Sequence, residues 1–359
     1  MTKRTLKPPL LPMEAKSVAE IPAGDGWQYE PKWDGFRCIA FRDGAKIALQ
    51  SKSGQPLQRY FPDVVGALAQ LKPNRFILDG EIIVVRNGRL SFDDLLQRIH
   101  PAASRIEKLS RETPATYIIF DLLMDERARA LLDMPLTERR TRLEQFARKF
   151  LRDSKSILLS PVTIDIRQAR TWLSSSGAAL DGVIAKRLDL PYQSGNRAGM
   201  QKIKRKRTAE CVVAGFRYAS NSRHVGSLLL GLYDDEGLLH HVGFTSSFKH
   251  HDRPALTRKL EALRCQPGEK DCGFTGRAPG GPSRWSTERS SQWEAVRPKL
   301  VVEIEWDHFS SERFRHGTGF LRWRPDKPPR SCTFDQVAGH KASVAKIMNK
   351  PVPKKRTRK

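Results

Sequence analysis

The residues best suited to chemistry lie in one short run, Tyr29-Glu30-Pro31-Lys32-Trp33-Asp34-Gly35-Phe36-Arg37. A lysine beside an aromatic ring, two residues before an acid and five before an arginine, becomes a nucleophile when its amine is neutral. Neighbouring cations or desolvation favour that form. Alone, Lys-x-Asp-Gly is a pattern that chance supplies often, and a surface lysine before a turn is the bland reading. Further groups follow it in order. Leu78-Asp79-Gly80-Glu81 places an acid on an apolar strand, and Phe120-Asp121 lies in the apolar strand begun at Tyr117. Asp181-Gly182-Val183-Ile184-Ala185-Lys186 opens with an acid and ends with a lysine. Lys202-Ile203-Lys204 puts two lysines on one strand face, because side chains alternate with period two. Singly these are turn-edge acids, a core phenylalanine and a solvated basic linker. Together they describe a nucleoside triphosphate site. Lys32 is its nucleophile, Glu81 and Asp181 hold Mg²⁺, Phe120 stacks on a base, and Lys202 and Lys204 take phosphates.

The elements that must position these groups follow from the rest of the chain. Its 359 residues suggest about two domains. With 39% hydrophobic residues it can build packed cores. No apolar run approaches the ~18 residues of a membrane span, and the amino-terminal segment does not read as a signal peptide. Five scattered cysteines suggest a reducing cytoplasm rather than a disulfide framework. The spacing of Cys265 and Cys272 and the adjacent histidine pairs argue against zinc, and the Gly-rich 277–281 stretch lacks a P-loop ending.

Residues 1–26 read as an extended arm. Strands flank the Arg42-Asp43-Gly44 hairpin signal. Helices are expected over 61–71, 92–99, 136–150 with Thr137 as N-cap, 167–174 and 252–264. One or two strands cover 75–86, and others 117–123, 182–186, 210–218, 227–233, 238–244, 300–309 and 319–324. Residues 265–291 read as a long loop. The composition shifts at Lys202–Arg207, five basic residues in six. These features predict an α+β domain over 1–205, a β-rich domain over 206–340 and a disordered basic tail over 341–359.

The formal net charge of +25, from 64 Lys and Arg against 39 Asp and Glu, points to a polyanionic partner. Arg205, Lys206 and Arg207 and the tail would add salt-sensitive DNA affinity that does not read sequence.

The ordered motifs resemble those of the covalent nucleotidyltransferases, which comprise DNA ligases, RNA ligases and mRNA capping enzymes. Residues 180–192 and Arg322-Trp323-Arg324-Pro325-Asp326-Lys327 look most like the bacterial ATP-dependent DNA ligases, both the short stand-alone form and the ligase module of the end-joining ligase. The resemblance implies an adenylation domain with antiparallel sheets and flanking helices, followed by a β-barrel OB-fold domain. It makes Lys32 the residue that becomes lysyl-AMP, with Asp34 beside it. Glu30 would lie near the adenine, and Arg37 near the ribose or the nick phosphate. Lys52 would touch a phosphate where an arginine is usual. Glu81 would bind ribose or metal, and Phe120 would stack on adenine. Asp181 replaces a usual glutamate and, being one methylene shorter, would reach the metal through water. Lys202 and Lys204 would hold the α-phosphate, with Lys186 and Arg197 as further nucleotide contacts. Arg324 and Lys327 would orient pyrophosphate from a mobile second domain.

The same likeness implies ATP as substrate, Mg²⁺ or Mn²⁺ as cofactor, and nicked duplex DNA as partner, aided by repair or end-binding proteins. It also implies a monomer in the cytoplasm, associated with the nucleoid. An RNA ligase or GTP-using capping enzyme, and a non-catalytic nucleic-acid-binding module, are the competing readings.

Overall fold

The structure is a computed structural model that describes residues 6–175, 180–205, 207–266, 268–280, 292–315, 317–337 and 344–348. It divides into two compact units, one of residues 1–205 and 340–359 and one of residues 206–339.

In chain order the first unit holds β1 (Lys16–Ser17), β2 (Trp27–Lys32), β3 (Phe36–Asp43), β4 (Lys46–Ser51), α1 (Pro62–Ala69), β5 (Arg75–Arg86), β6 (Arg89–Leu90), α2 (Phe92–Gln97), α3 (Ala103–Glu112), β7 (Ala115–Met124), α4 (Leu136–Phe150), β8 (Ile157–Leu159), α5 (Ile166–Ser175), β9 (Gly182–Arg187) and β10 (Met200–Lys204). These strands form two sheets. The larger runs β4-β3-β5-β7-β8, with β6 paired to β5, and the smaller runs β1-β10-β9-β2.

Period-two alternation gives the larger sheet two different faces. Cys38, Ala40, Phe76, Leu78, Ile82, Val84, Tyr117 and Ile119 join Val64 and Leu68 of α1 and Leu143 and Phe146 of α4 in one core. The intervening residues Ile39, Phe41, Ile77, Ile83 and Ile118 pack in two other clusters, with Tyr29, Val183 and Ala185 of the smaller sheet and with Met13, Tyr192 and Met200. Arg37, Asp79 and Glu81 share that second parity. The sequence therefore commits one face to helices and reserves the other for polar chemistry.

Several elements differ from the sequence expectation. Residues 75–86 form one continuous strand. Helix α3 was not expected, because Ile106 is its only buried residue and no apolar stripe marks it. Pairs such as Arg111–Glu107 line its outer face instead. Thr137 does not cap α4. The N-cap is Pro135, with no side-chain bond, and the amides of Leu136 and Thr137 donate to the carbonyls of Leu190 and Leu188. A distant loop thus satisfies donors that a local side chain usually takes.

Of the expected disordered tail, only residues 344–348 are described, and the rest lies outside the described residues. Val344–Met348 forms a short helix, and Val344 and Ile347 pack in the cluster that holds Trp33 and Trp172. Two apolar residues three positions apart are enough to dock one turn.

The second unit contains β11 (Arg207–Tyr218), β12 (Val225–Tyr233), β13 (Leu239–Thr245), α6 (Arg253–Glu261), β14 (Glu294–Trp306), β15 (Phe309–Ser310), β16 (Arg313–Phe314) and β17 (Gly319–Trp323). Five strands make an antiparallel sheet in the order β13-β12-β11-β14-β17. A closed barrel was expected. Among the described residues the edge strands meet at one parallel bridge, Thr245 to Thr318, rather than along a ladder. Leu256 and Leu260 of α6 fill the sheet's core.

Cys265 and Cys272, expected as free thiols, form a disulfide. The amide of Cys265 donates to Ala295 and that of Gly273 to Val296, so adjacent residues of β14 clamp the segment and bring the sulfurs together. Cys38, Cys211 and Cys332 are free and buried. Residues 281–291 of the expected loop lie outside the described residues. No helix among the described residues is long and apolar enough to cross a membrane.

One buried ion pair joins three helices to the larger sheet. The Arg98 guanidinium, with no exposed side-chain surface, donates to both Asp63 oxygens at 2.7 and 3.1 Å and to the carbonyl of Tyr60 at 3.0 Å. Asp63 also accepts from the amide of Ala115 at the start of β7. Asp63→Ala would strand a buried cation and should cost about 3–5 kcal/mol in urea unfolding, whereas the apolar double replacement Asp63→Leu with Arg98→Met should recover much of it. Equal losses in the two variants would contradict this account.

Candidate active site

The smaller sheet builds the centre of the site by register. Lys32 pairs with Gly182 across β2 and β9, and Gly182 pairs with Lys204 across β9 and β10. One row thus carries Lys32, Gly182 and Lys204. Two residues along the strands, the next row on the same face carries Glu30, Ile184 and Lys202. Asp181 sits just before β9, and its amide donates to the carbonyl of Lys32. Lys32 Nζ donates to Asp181 Oδ2, and Lys204 Nζ lies 3.8 Å from the same oxygen. One carboxylate therefore serves two ammonium groups. Gly182 has φ +148°, and a Cβ there would lie 2.0 Å from the carbonyl oxygen of Ile203, so only glycine lets the strands close at this point.

The larger sheet supplies the opposite wall. Arg37 pairs with Glu81 across β3 and β5. Between β5 and β7 the register shifts. Asp79 opposes Asp121 and Gly80 opposes Ile119, which leaves Phe120 as the extra residue of a bulge. Bulges re-aim side chains beside functional sites, and this one sets the Phe120 ring in the cleft wall. The turn between β2 and β3 is equally tight, for a Cβ on Gly35 would lie 2.2 Å from the Ile82 carbonyl oxygen. That approach holds Lys32 against the larger sheet, and Trp33 Nε1–H donates to Ser160 Oγ beside it at 3.0 Å.

A cleft of about 330 Å³ lies between these walls. Nine residues singled out from the sequence line it: Glu30, Lys32, Arg37, Lys52, Glu81, Phe120, Lys186, Arg197 and Lys202. Six are cations and two are acids, so the wall favours a polyanion. Asp181 and Lys204 join it through Lys32, and Asp34 lies in the β2–β3 turn with its charge acting on Glu81.

Arg324 and Lys327 belong to the second unit, where the Arg324 guanidinium pairs with Glu210 and with Asp326 at 2.7 Å. Lys327 Nζ lies 3.2 Å from Glu210. Arg207 also belongs there, with its guanidinium 5.0 Å from the Trp306 ring centre. Arg205 follows β10, and Lys206 lies outside the described residues.

The aromatic wall is held by cations. The Arg37 guanidinium and Lys186 ammonium lie 4.5 and 4.6 Å from the centre of the Phe120 ring. Lys186 is buried and lies 2.9 Å from Glu30 Oε2, while Gln28 donates to Glu30 Oε1. The Lys186 contact is ionic, because its ammonium makes no well-aligned hydrogen bond to a described residue. It keeps donors available for a ligand.

Sequence reasoning missed the residues that orient Arg37. Asp79, fully buried, accepts from Arg37 Nε and Nη2 at 2.6 Å each. The Tyr192 hydroxyl donates to Asp79 at 2.6 Å and accepts from the amide of Met13 at 3.0 Å. The parity shared by Asp79 and Glu81 was the available signal. Glu14, the counter-ion of Lys52 and Arg197, and Glu210, the counter-ion of Arg324 and Lys327, carried no signal.

The titration of the site follows its crowding. Burial, then the charges of Lys32, Lys204, Lys52 and Arg197, hold the Lys202 ammonium below its ordinary value. Burial pushes the Glu81 carboxyl up to about 7, against the pull of Arg37 and Lys32. The Glu81 carboxyl makes no hydrogen bond to a described residue, and the cations that act on it most are Arg37 and Lys32. No cluster of three or more His, Cys, Asp or Glu among the described residues could cage a metal. Mg²⁺ needs no such cage, since it binds through one or two carboxylates, water and substrate phosphates. The donors present fit it.

Comparisons with known proteins agree with this geometry. The family model described as ATP dependent DNA ligase domain matches residues 9–204, and that described as ATP dependent DNA ligase C terminal region matches residues 221–327. DNA ligase C2 of Mycolicibacterium smegmatis is 44% identical, over 94% of this chain and 97% of its own. The multifunctional non-homologous end joining protein LigD of Pseudomonas aeruginosa is 31% identical over 94% of this chain and 38% of its own. A solved structure of the Lig E DNA ligases, 14% identical, superposes with a TM-score of 0.54 over 88% of this chain and 99% of that one. That last likeness concerns the fold, a mixed α+β nucleotidyltransferase-type architecture.

Glu81 makes the stability of the nucleotide-free protein depend on pH. Below about pH 4.5 both folded and unfolded chains keep its proton. Between that value and about 7 the unfolded chain releases the proton and the folded chain retains it, so stability falls as pH rises through the window. Glu81→Gln should therefore gain on the wild type from pH 5 to pH 8 by about 1–2 kcal/mol. Chemical unfolding at several pH values checks this, and parallel profiles would refute it.

Proposed function

The chain belongs to the ATP-dependent DNA ligases, and from that premise we propose how its residues seal a nick between a 5′-phosphate and a 3′-hydroxyl. The observation that carries the reading is Lys32 Nζ, held on Asp181 in one strand row with Lys204, in a cleft whose walls are mostly cationic.

Lys32, once its ammonium has released a proton to Asp181 or to water, attacks the α-phosphorus of ATP in line. The new N–P bond makes lysyl-AMP, the bond to the β-phosphate oxygen breaks, and pyrophosphate leaves. Negative charge concentrates on the phosphoryl oxygens in the transition state, and Lys202 and Lys204 stand where they stabilise it. Lys186 brings its remaining donors to the same nucleotide. Phe120 offers a face to the adenine, and the carboxylate partners of its two cations, Asp79 for Arg37 and Glu30 for Lys186, retain those cations when the base arrives. Glu81, with Asp181 through water, would hold Mg²⁺ or Mn²⁺, which when bound supplies charge neutralisation for the triphosphate.

The adenylyl group then passes to the 5′-phosphate of the nick, with Arg37, Lys52 and Arg197 as its phosphate contacts. Attack by the 3′-hydroxyl on that phosphate expels AMP and closes the strand.

The second unit has the role of an OB-fold module that binds DNA without reading sequence. Arg324 and Lys327 orient pyrophosphate when their pairing with Glu210 is exchanged for phosphate. Arg205, Lys206, Arg207 and the basic tail add salt-dependent affinity. Partners are nicked duplex DNA and proteins that deliver broken or nicked ends. The work is DNA repair and end joining, carried out by a monomer in the cytoplasm at the nucleoid.

Incubation with ATP and Mg²⁺ should add the mass of one adenylyl group to the peptide containing Lys32. Lys32→Ala should abolish both that mass and nick sealing. GTP and NAD should not substitute, and RNA nicks should be poor substrates. An adduct that persists in the alanine variant would reassign the nucleophile, and labelling by GTP would favour a capping-type enzyme.

A further inference from the structure

The mouth of the cleft contains a carboxylate where a phosphate would be expected to bind. Glu14 lies in the arm before β1. Its Oε2 accepts from Arg197 Nη2 at 2.9 Å and Nε at 3.1 Å, and Lys52 Nζ lies 3.3 Å from the same oxygen. A guanidinium edge and an ammonium converging on one anionic oxygen is the arrangement that phosphoryl oxygens take. Among the described residues, neither Lys52 nor Arg197 has another ion-pair partner. All three line the cleft, together with Lys32 and Lys202.

The backbone of the arm is fixed while the carboxylate is free to exchange. The amide of Glu14 donates to the carbonyl of Asn196 at 2.9 Å. Both backbone groups of Leu10 bond the Gln50 amide, at 2.9 and 2.6 Å. The amide of Met13 is held by Tyr192. The Lys52 and Arg197 side chains, in contrast, are 62% and 68% exposed, and ion pairs in that setting are weak enough to yield to a better anion.

We propose that Glu14 is an internal stand-in for a phosphoryl group. It holds Lys52 and Arg197 in place before substrate arrives, and an incoming phosphate must displace it. Glu14 is thus a positioning residue that sets the phosphate affinity of the cleft mouth. The proposal rests on the ligase reading, which leaves two sources for the phosphate, the polyphosphate tail of ATP and the 5′-phosphate of a nick.

Glu14→Gln tests it, since it keeps the side chain's shape and removes the competing charge. One arm measures the KM for ATP in lysyl-AMP formation. The other uses pre-adenylylated protein and compares the sealing KM for a nick bearing a 5′-phosphate with the binding Kd of the unreactive nick bearing a 5′-hydroxyl, at low and high salt. In one arm the variant should lower KM for the phosphate-bearing ligand by about three- to tenfold with kcat little changed. The gain should shrink as salt rises, and the melting temperature should stay within about 2 °C. The arm that responds identifies the phosphate. Glu14→Ala should show the same sign.

No gain in either arm would overturn the proposal. So would equal weakening of phosphate and hydroxyl nicks with a lowered melting temperature, which would make Glu14 a tether of the arm. Lysyl-AMP formation by the wild-type protein separates the two readings, because its failure would sink the ligase assignment and not this one alone.

Discussion

The structure depends on an excess of positive charge confined in one cleft. Lys32 on β2 faces Lys202 and Lys204 on β10 across the intervening β9, with a single carboxylate, Asp181, between Lys32 and Lys204. Like charges at such separations repel, and the repulsion rises as water is excluded. Something covalent or tightly packed must hold them there. The β2-β9-β10 ladder does so, because its register fixes the row whatever the charges prefer. The cost of that arrangement is recovered when a polyanion enters, which is the electrostatic basis for a site that prefers the triphosphate and its transition state to the free protein.

The remaining carboxylates are distributed to keep each cation useful. Asp79 orients Arg37 from the interior, with Tyr192 behind it. Glu30 holds Lys186 against Phe120 without saturating its donors. Glu14 and Glu210 occupy cations nearer solvent, in the first and second units respectively. Glu81 has no side-chain hydrogen bond to a described residue, and burial raises its titration to about 7 against the pull of Arg37 and Lys32. Buried partners and exposed partners thus do different work.

Much of this was legible beforehand. The order of motifs around Lys32, Glu81, Phe120, Asp181 and Lys202 named a nucleotide site, and nine of the residues it singled out line one cleft. Strands and helices with a clear apolar period also read true, since burial of one face is written into successive residues. Helix α3 was missed because its stability comes from one buried side chain and surface charge pairs. Thr137 misled because the helix is capped two residues earlier, at Pro135, where the carbonyls of Leu190 and Leu188, some fifty residues away, take the amides of Leu136 and Thr137 and no side-chain cap is needed. The single bridge between Cys265 and Cys272 was illegible for a similar reason, as β14 rather than sequence spacing brings the two together.

The sequence by itself determined which residues carry charge, which faces of the strands are apolar, and in what order the reactive groups occur. Those properties depend on neighbours one to four positions apart. Tertiary structure decided which charge meets which. Arg37 and Asp79 are 42 positions apart, and Glu14 and Arg197 are 183 apart. A basic chain offers many partners to each acid, and composition does not choose among them. The β3–β5 register, which opposes Arg37 to Glu81 and Ile39 to Asp79, and the bond from the Glu14 amide to the Asn196 carbonyl made that choice, because they set the few ångströms over which a carboxylate can act.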